Sequence, residues 1–147
     1  MDRKILRVLQ RRPDLPMTEL AAQVGLSHTP CWRRIKKLEA EGVIHGRALI
    51  LDPRRVGFGV NVFAQLHFAR QDEATLEAFE TEVAAHPQIV ECFSMSGESD
   101  YLLRVVAQSI EDYEQFLKKV ILHLPGVSTV NSSFSLKTVK LTTDLPV

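Results

Sequence analysis

Residues 19–44 read ELAAQVGLSHTPCWRRIKKLEAEGVI. Leu20, Ala21 and Val24 predict a short helix over 17–24, ended by Gly25. Ser27 is a good N-cap for a longer helix over 28–41, and Gly42 is its stop signal. Within that helix Cys31, Ile35 and Leu38 recur at i, i+4 and i+7, so they face inward. His28, Thr29, Trp32, Arg33, Lys36 and Lys37 fall largely off the stripe and face out. Upstream, Ile5, Leu6, Val8 and Leu9 make an apolar stripe across 2–12, closed by Pro13. Helix, glycine turn, then a capped helix with a basic outer face is the helix-turn-helix pattern. The first turn of such a helix can enter a major groove, where Thr29 and Arg33 reach base edges. Arg34, Lys36 and Lys37 are placed to meet phosphates. With Ser27, His28 and Trp32 they form the expected contact set for double-stranded DNA. The competing reading is a plain three-helix bundle with a solvated basic face.

The charge distribution supports the first reading. The 147 residues carry 18 Lys/Arg and 18 Asp/Glu, but residues 1–56 hold twelve basic against six acidic groups. The remainder is acidic to the same extent, which suggests two units with different partners, the basic one facing a polyanion. No stretch approaches the ~18 uncharged apolar residues of a membrane span. The run Met1-Asp2-Arg3-Lys4 leads into a mixed pattern without a signal-peptide core, so a cytoplasmic protein is expected. Cys31 and Cys92 offer neither a disulfide framework nor a zinc cluster. His28 and Cys31 have metal-like spacing but lack further ligands, so they read as cap and core, and no metal or cofactor is expected.

Residues 43–53 mix β-formers with turn residues, which reads as an extended arm and edge strand ended by Asp52-Pro53. Beyond Gly57 and Gly59 the alternation of Val60, Val62, Ala64, Leu66 and Phe68 predicts a strand. Leu76, Phe79 and Val83 predict a helix over 73–86, followed by a strand over 89–95 and another from Tyr101 to Ala107. Ser109 and Asp112 resemble a capping box that opens a helix through Leu124, with Ile110, Tyr113, Phe116, Leu117 and Val120 inward. Val127 to Leu141 reads as a last long strand. The order β-α-β-β-α-β is the ferredoxin-like arrangement, whose helices cover one sheet face. The third strand is apolar on both faces, with Leu102 and Val106 on the uncovered one. A second copy is therefore expected to cover it, as a homodimer.

The run from Glu19 to Ile44 resembles the helix-turn-helix of the Lrp/AsnC family of bacterial and archaeal transcription regulators. One departure is Pro16, where many members have a capping Ser. The run Gly97-Glu98-Ser99-Asp100-Tyr101-Leu102-Leu103 resembles the signature of that family's effector domain, known as RAM. The resemblance covers almost the whole chain. It implies an α+β protein: a winged-type, three-helix helix-turn-helix domain at 1–43, a linker arm at 44–58, and a ferredoxin-like βαββαβ RAM domain at 59–147. It implies a free amino acid as effector, bound at the Gly97–Asp100 loop where dimers meet, with Ser94, Tyr101, Ser133, Phe134 and Ser135 among the contacts. Amides around Gly97 suit a carboxylate and Asp100 suits an ammonium. It also implies dimers that assemble further, to tetramers or octamers, and a nucleoid-associated protein in a bacterial cytoplasm. Serine at 94, 133 and 135 favours a small polar or thiol-bearing amino acid over leucine. The closing run from Thr142 to Pro146 resembles a cysteine-responsive branch.

Two function classes fit. One is a transcriptional regulator whose promoter binding or assembly is gated by a small amino acid. The other is an architectural protein that wraps or bridges DNA with no ligand gate. The absence of a nucleophile–base pair, phosphate loop or metal cluster argues against an enzyme.

Overall fold

A computed structural model describes residues 1–147, which divide into two compact units, Met1–Ile50 with Val139–Val147, and Leu51–Thr138.

The first unit opens with α1 (Asp2–Arg11), α2 (Met17–Val24) and α3 (His28–Ala40). Each helix ends within one residue of its expected stop. Gly25 closes α2 in the left-handed conformation, where Leu26 N–H returns to Ala21 C=O at 2.8 Å. The interior is made of Ile5, Leu9, Leu20, Ala21, Val24, Cys31 and Ile35, with Ile44 packed against it. One cap differs from expectation. Ser27 sits at the N-cap of α3 but its side chain makes no capping bond. Pro16 opens α2 with fixed φ and no side-chain cap.

The arm expected as an edge strand has no strand pairing over 45–52. Its β-formers Leu49 and Ile50 are exposed, because a strand needs a partner and this chain supplies none. A 3₁₀ turn at Arg54–Val56 follows.

The second unit is a four-stranded antiparallel sheet with two helices on one face. The strands are β1 (Val60–Phe68), β2 (Ile89–Ser94), β3 (Tyr101–Ala107) and β4 (Val127–Phe134), in the order β2-β3-β1-β4. The helices are α4 (Glu73–Ala85) and α5 (Ile110–Lys119). Asp72 caps α4 through Thr75 N–H at 3.2 Å, and Ser109 caps α5 through Asp112 N–H at 3.0 Å. Val62, Ala64 and Leu66 of β1 join Tyr101, Leu103 and Val105 of β3 beneath Phe79, Val83, Tyr113 and Phe116. Phe79 packs edge-on to Phe68 at 4.9 Å and against Tyr101 at 4.5 Å.

One expected orientation and two expected boundaries differ. Ile110, expected inward, is 61% exposed, although it shares the helical face of Tyr113, because it is the first residue of α5 and no turn precedes it to cover it. The helix expected to run through Leu124 stops at Lys119 and continues as a 3₁₀ turn at Ile121–His123. The last strand ends at Phe134 rather than Leu141. Its final rung is Ser135 N–H to Asn61 C=O at 2.8 Å, and β1 begins at Val60, so no strand remains to pair with beyond it.

Gly126 lies where β4 turns in beneath α4, at φ +79°, and a Cβ there would come within 2.6 Å of the Thr75 methyl and 3.0 Å of the Phe68 ring. Gly126→Ala therefore combines a left-handed backbone with overpacking and is expected to destabilise the second unit by about 1–3 kcal/mol. Urea denaturation of the two proteins checks this, and an unchanged midpoint would contradict it.

Candidate functional site

Two candidate sites emerge, one in each unit. In the first, burial of Cys31, Ile35 and Leu38 fixes the rotation of α3. Thr29, Arg33 and Lys36, at i, i+4 and i+7, line its outward face, with Trp32 45% exposed beside them. Three of the four basic side chains on the helix are engaged. Arg34 donates to Asp2 of α1 at 2.8 Å, Lys36 to Glu39 at 2.7 Å, and Lys37 lies 3.7 Å from Glu41. The Lys36 contact holds the Glu39 carboxyl below its usual range. Arg33 has no carboxylate within ion-pair distance, so it can reach a ligand without first breaking a contact. The exposed lysine pairs are worth little each and exchange readily for phosphate contacts. Ser27, His28 and Thr29 stand exposed at the N-terminal end of α3. Asp2 is a partner that local sequence did not reveal, since it lies 32 residues from Arg34.

The second site is the connection between β2 and β3. Met95 N–H donates to Asp100 C=O at 2.9 Å, closing a loop whose Gly97 has φ +109°, a backbone suited to glycine. None of the backbone N–H groups of residues 96–99 donates to a main-chain acceptor. Gly97 and Glu98 are exposed, while Ser99 and Asp100 are half-buried.

Asp100 ties the loop to the rest of the unit. Its N–H donates to Leu66 C=O at 2.8 Å, and its carboxylate accepts from Phe68 N–H at 2.7 Å and from the Gln71 side chain at 2.9 Å. The carboxylate thus staples the end of β1 to the start of β3. It keeps lone pairs for a further donor. Gln71 was not foreseen, because its contact spans 29 residues. Tyr101, expected at the effector site, turns into the core instead, where its hydroxyl donates to Glu80 at 3.2 Å. Burial, then that bond, raises its pKa.

The remaining predicted effector residues divide. Ser94 pairs with Tyr101 at the loop end of the sheet. Ser133 pairs with Phe63, Phe134 with Val62, and Ser135 follows. From the Leu66–Tyr101 pair to the Val62–Phe134 pair is four residues of β1, about 13 Å of strand. One chain therefore brings Ser94 to the Gly97 loop but not residues 133–135. Phe134 meets Tyr113 edge-on at 5.4 Å. Cys92 lies on the helix-covered side, and burial, with Glu80 nearby, pushes its thiol up to about 11. No group of three or more His, Cys, Asp or Glu is placed to hold a metal ion. No helix is long and apolar enough to cross a membrane.

Two family models match this layout. Residues 1–45 match a winged helix-turn-helix DNA-binding domain, and residues 61–145 match the Lrp/AsnC ligand binding domain. The chain belongs to the Lrp/AsnC family. It is 37% identical over 147 residues to the DNA-binding transcriptional activator DecR of Escherichia coli K12, covering all of this chain and 97% of that one. It is 38% identical to the Bkd operon transcriptional regulator of Pseudomonas aeruginosa, covering 100% and 96%. It is also similar to a Neisseria meningitidis transcriptional regulator crystallised as its L-Met complex, with TM-score 0.93, 37% identity, and coverage of 99% and 94%. Like other members of the family, the chain is a DNA-binding transcriptional regulator with a ligand-binding domain, and not an enzyme.

Asp100→Ala leaves Phe68 N–H without its acceptor and is expected to cost about 1–3 kcal/mol in denaturant unfolding, with Asp100→Asn costing less. Equal stability of Asp100→Ala and the parent would remove the staple. With its pKa near 11, Cys92 is expected to react with iodoacetamide at pH 8 roughly two hundredfold more slowly than a free cysteine. Raising the pH toward 11 should speed labelling, because the thiolate is the nucleophile. Labelling at the free rate, read by mass spectrometry, would contradict this.

Proposed function

We infer that the chain binds promoter DNA through α3 and that a small free amino acid at the Gly97–Asp100 loop modulates this binding or the protein's assembly. The row of unpartnered amides at residues 96–99, next to a carboxylate with spare acceptor capacity, carries the reading. Such a loop offers donors to an α-carboxylate and an acceptor to an α-ammonium. The separation of residues 133–135 from this loop favours a pocket completed by another copy if the effector set is Ser94, Gly97, Glu98, Ser99, Asp100, Tyr101, Ser133, Phe134 and Ser135.

Assembly has its own support. The face of the sheet without helices carries Phe63, Phe93, Leu102 and Val106, and Phe93 is 52% exposed. Arg104 crosses it, donating to Glu91 at 2.7 Å. A second copy laid on this face would bury the apolar side chains and give a homodimer, with tetramers or octamers built on it. A dimer supplies two recognition helices for a two-fold DNA site. The proposed domain bounds are 1–43, 44–58 and 59–147, in a protein of the bacterial cytoplasm associated with the nucleoid. The L-Met complex of the Neisseria relative supports an amino acid as effector. The relatives lend no support to the cysteine-responsive branch.

The test is fluorescence anisotropy of the full chain on labelled DNA from upstream of its own gene, across salt, with cysteine, serine, methionine and leucine. Salt-sensitive binding shifted by one amino acid is expected. Binding indifferent to all of them would favour the architectural reading, and no binding at low salt would end both. Arg33→Ala is expected to weaken specific binding by about 1–3 kcal/mol while sparing random DNA. Lys37→Ala should weaken both alike and flatten the salt slope. Equal losses on the two DNAs for Arg33→Ala would move Arg33 to the phosphates.

A further inference from the structure

Residues 139–147 group with the first unit, although the chain reaches them only after leaving β4. The contacts that hold them are specific. The Gln10 side chain reads the backbone of Leu145 with both ends of its amide: Nε2 donates to Leu145 C=O at 3.1 Å, and Oε1 accepts from Leu145 N–H at 2.7 Å. Arg7 donates to the carbonyl of Val147, and Arg11 lies 3.5 Å from Asp144. Arg7, Gln10 and Arg11 are spaced i, i+3 and i+4, so they share one face of α1. That face is opposite Ile5 and Leu9, which point into the core.

The segment is also organised internally. Thr142 Oγ1 accepts from Asp144 N–H at 3.1 Å, and Val147 N–H returns to Leu145 C=O at 2.8 Å. Beside it lies a cleft of about 420 Å³, lined by Leu6, Leu9, Ile44 and Ile50 together with Leu145 and Val147. Leu145 itself is 68% exposed, so recognition rests on the amide clasp and the two arginines rather than on apolar burial.

We propose that residues 142–147 are a strap that docks on α1, so that the DNA-binding unit is completed by a segment delivered from the end of the ligand-binding unit. The surface is the Arg7–Gln10–Arg11 face, and its occupant is this chain's own extended tail. Ser135 is still hydrogen-bonded to β1, and only six residues separate it from Thr142. The chain thus leaves the ligand-binding unit at both ends into the DNA-binding unit, at 50/51 and at 138/139. Ligand binding that moves the end of β4 would load the strap as well as the arm. That regulatory consequence rests on the amino-acid reading, whereas the docking does not.

Hydrogen exchange of the full chain tests the docking, against Gln10→Ala and a chain truncated after Leu141. The expected result is protection of the Leu145 amide and of α1 in the parent, with the Leu145 protection lost about tenfold or more in Gln10→Ala, the α1 protection lost to a similar extent in both variants, and β1 and β3 unchanged. A Leu145 amide that exchanges freely in the parent, or α1 protection equal in all three, would overturn the strap. Protection that vanishes on dilution would assign the docked segment to a neighbouring chain and overturn it as well. Arg11→Glu with Asp144→Arg should recover part of what Arg11→Glu alone loses. In the anisotropy assay the truncated chain is expected to bind DNA but respond less to the amino acid that shifts the parent. If no amino acid shifts the parent, the effector reading fails and the exchange result still decides the strap.

Discussion

The burial of Cys31, Ile35 and Leu38 is the constraint from which the first unit follows. Once those three side chains enter the core with Ile5 and Leu20, the rotation of α3 has no freedom left, and the basic residues between them must face outward. The pairing of those residues then distinguishes them. Lys36 and Lys37 pair with acids one turn along the same helix, and Arg34 is drawn back to α1. Arg33 is left unengaged. An exposed ion pair is cheap to exchange for a phosphate, but a side chain that must also meet a base edge at fixed geometry gains from starting free.

In the second unit the comparable role belongs to Asp100, and it is structural before it is anything else. Its carboxylate holds the end of β1 and its backbone opens β3, so the amides of residues 96–99 are displayed by a loop whose two ends are fixed. A loop of free donors is useful as a ligand cradle only if it is held still, because ordering it on binding would cost affinity. The staple therefore serves the proposed ligand site whether or not Asp100 itself touches the ligand.

Much of this was legible in the chain because its signals are local. Pro13, Gly25 and Gly42 are stop signals that act within a turn of their own position, and the three helices end where those residues say. The β-α-β-β-α-β order likewise follows from periodicity that each segment carries by itself. What failed was whatever depends on a distant partner. The arm at 43–53 and the stretch beyond Phe134 have strand-forming composition, yet neither has a neighbouring strand in this chain. Ile110 is apolar and shares the face of Tyr113, but as the first residue of α5 it is left in solvent. Tyr101 was grouped with the effector residues by its place in a signature, and its alternation along β3 sends it to the core. The clasp of Gln10 on Leu145 left no trace, since a side chain that reads backbone imposes no residue type on its partner.

The two sites share one limitation of geometry. A single α3, 13 residues and about 20 Å long, presents its outward face to one stretch of groove. A single sheet places residues 94–100 and residues 133–135 at opposite ends of its strands. Neither arrangement can be changed by local adjustment, because each is fixed by a core that is already full. Repetition of the chain is the remaining way to build a longer DNA footprint or a two-sided pocket. The helix-free sheet face, with Phe63, Phe93 and Leu102 around the Arg104–Glu91 pair, is where such repetition would begin. In the proposed dimer the apolar side chains would supply the buried area, and each chain would bring its Arg104–Glu91 pair to the interface already joined. Regulation by assembly, as proposed, would then follow from how little each chain can do with one helix and one sheet.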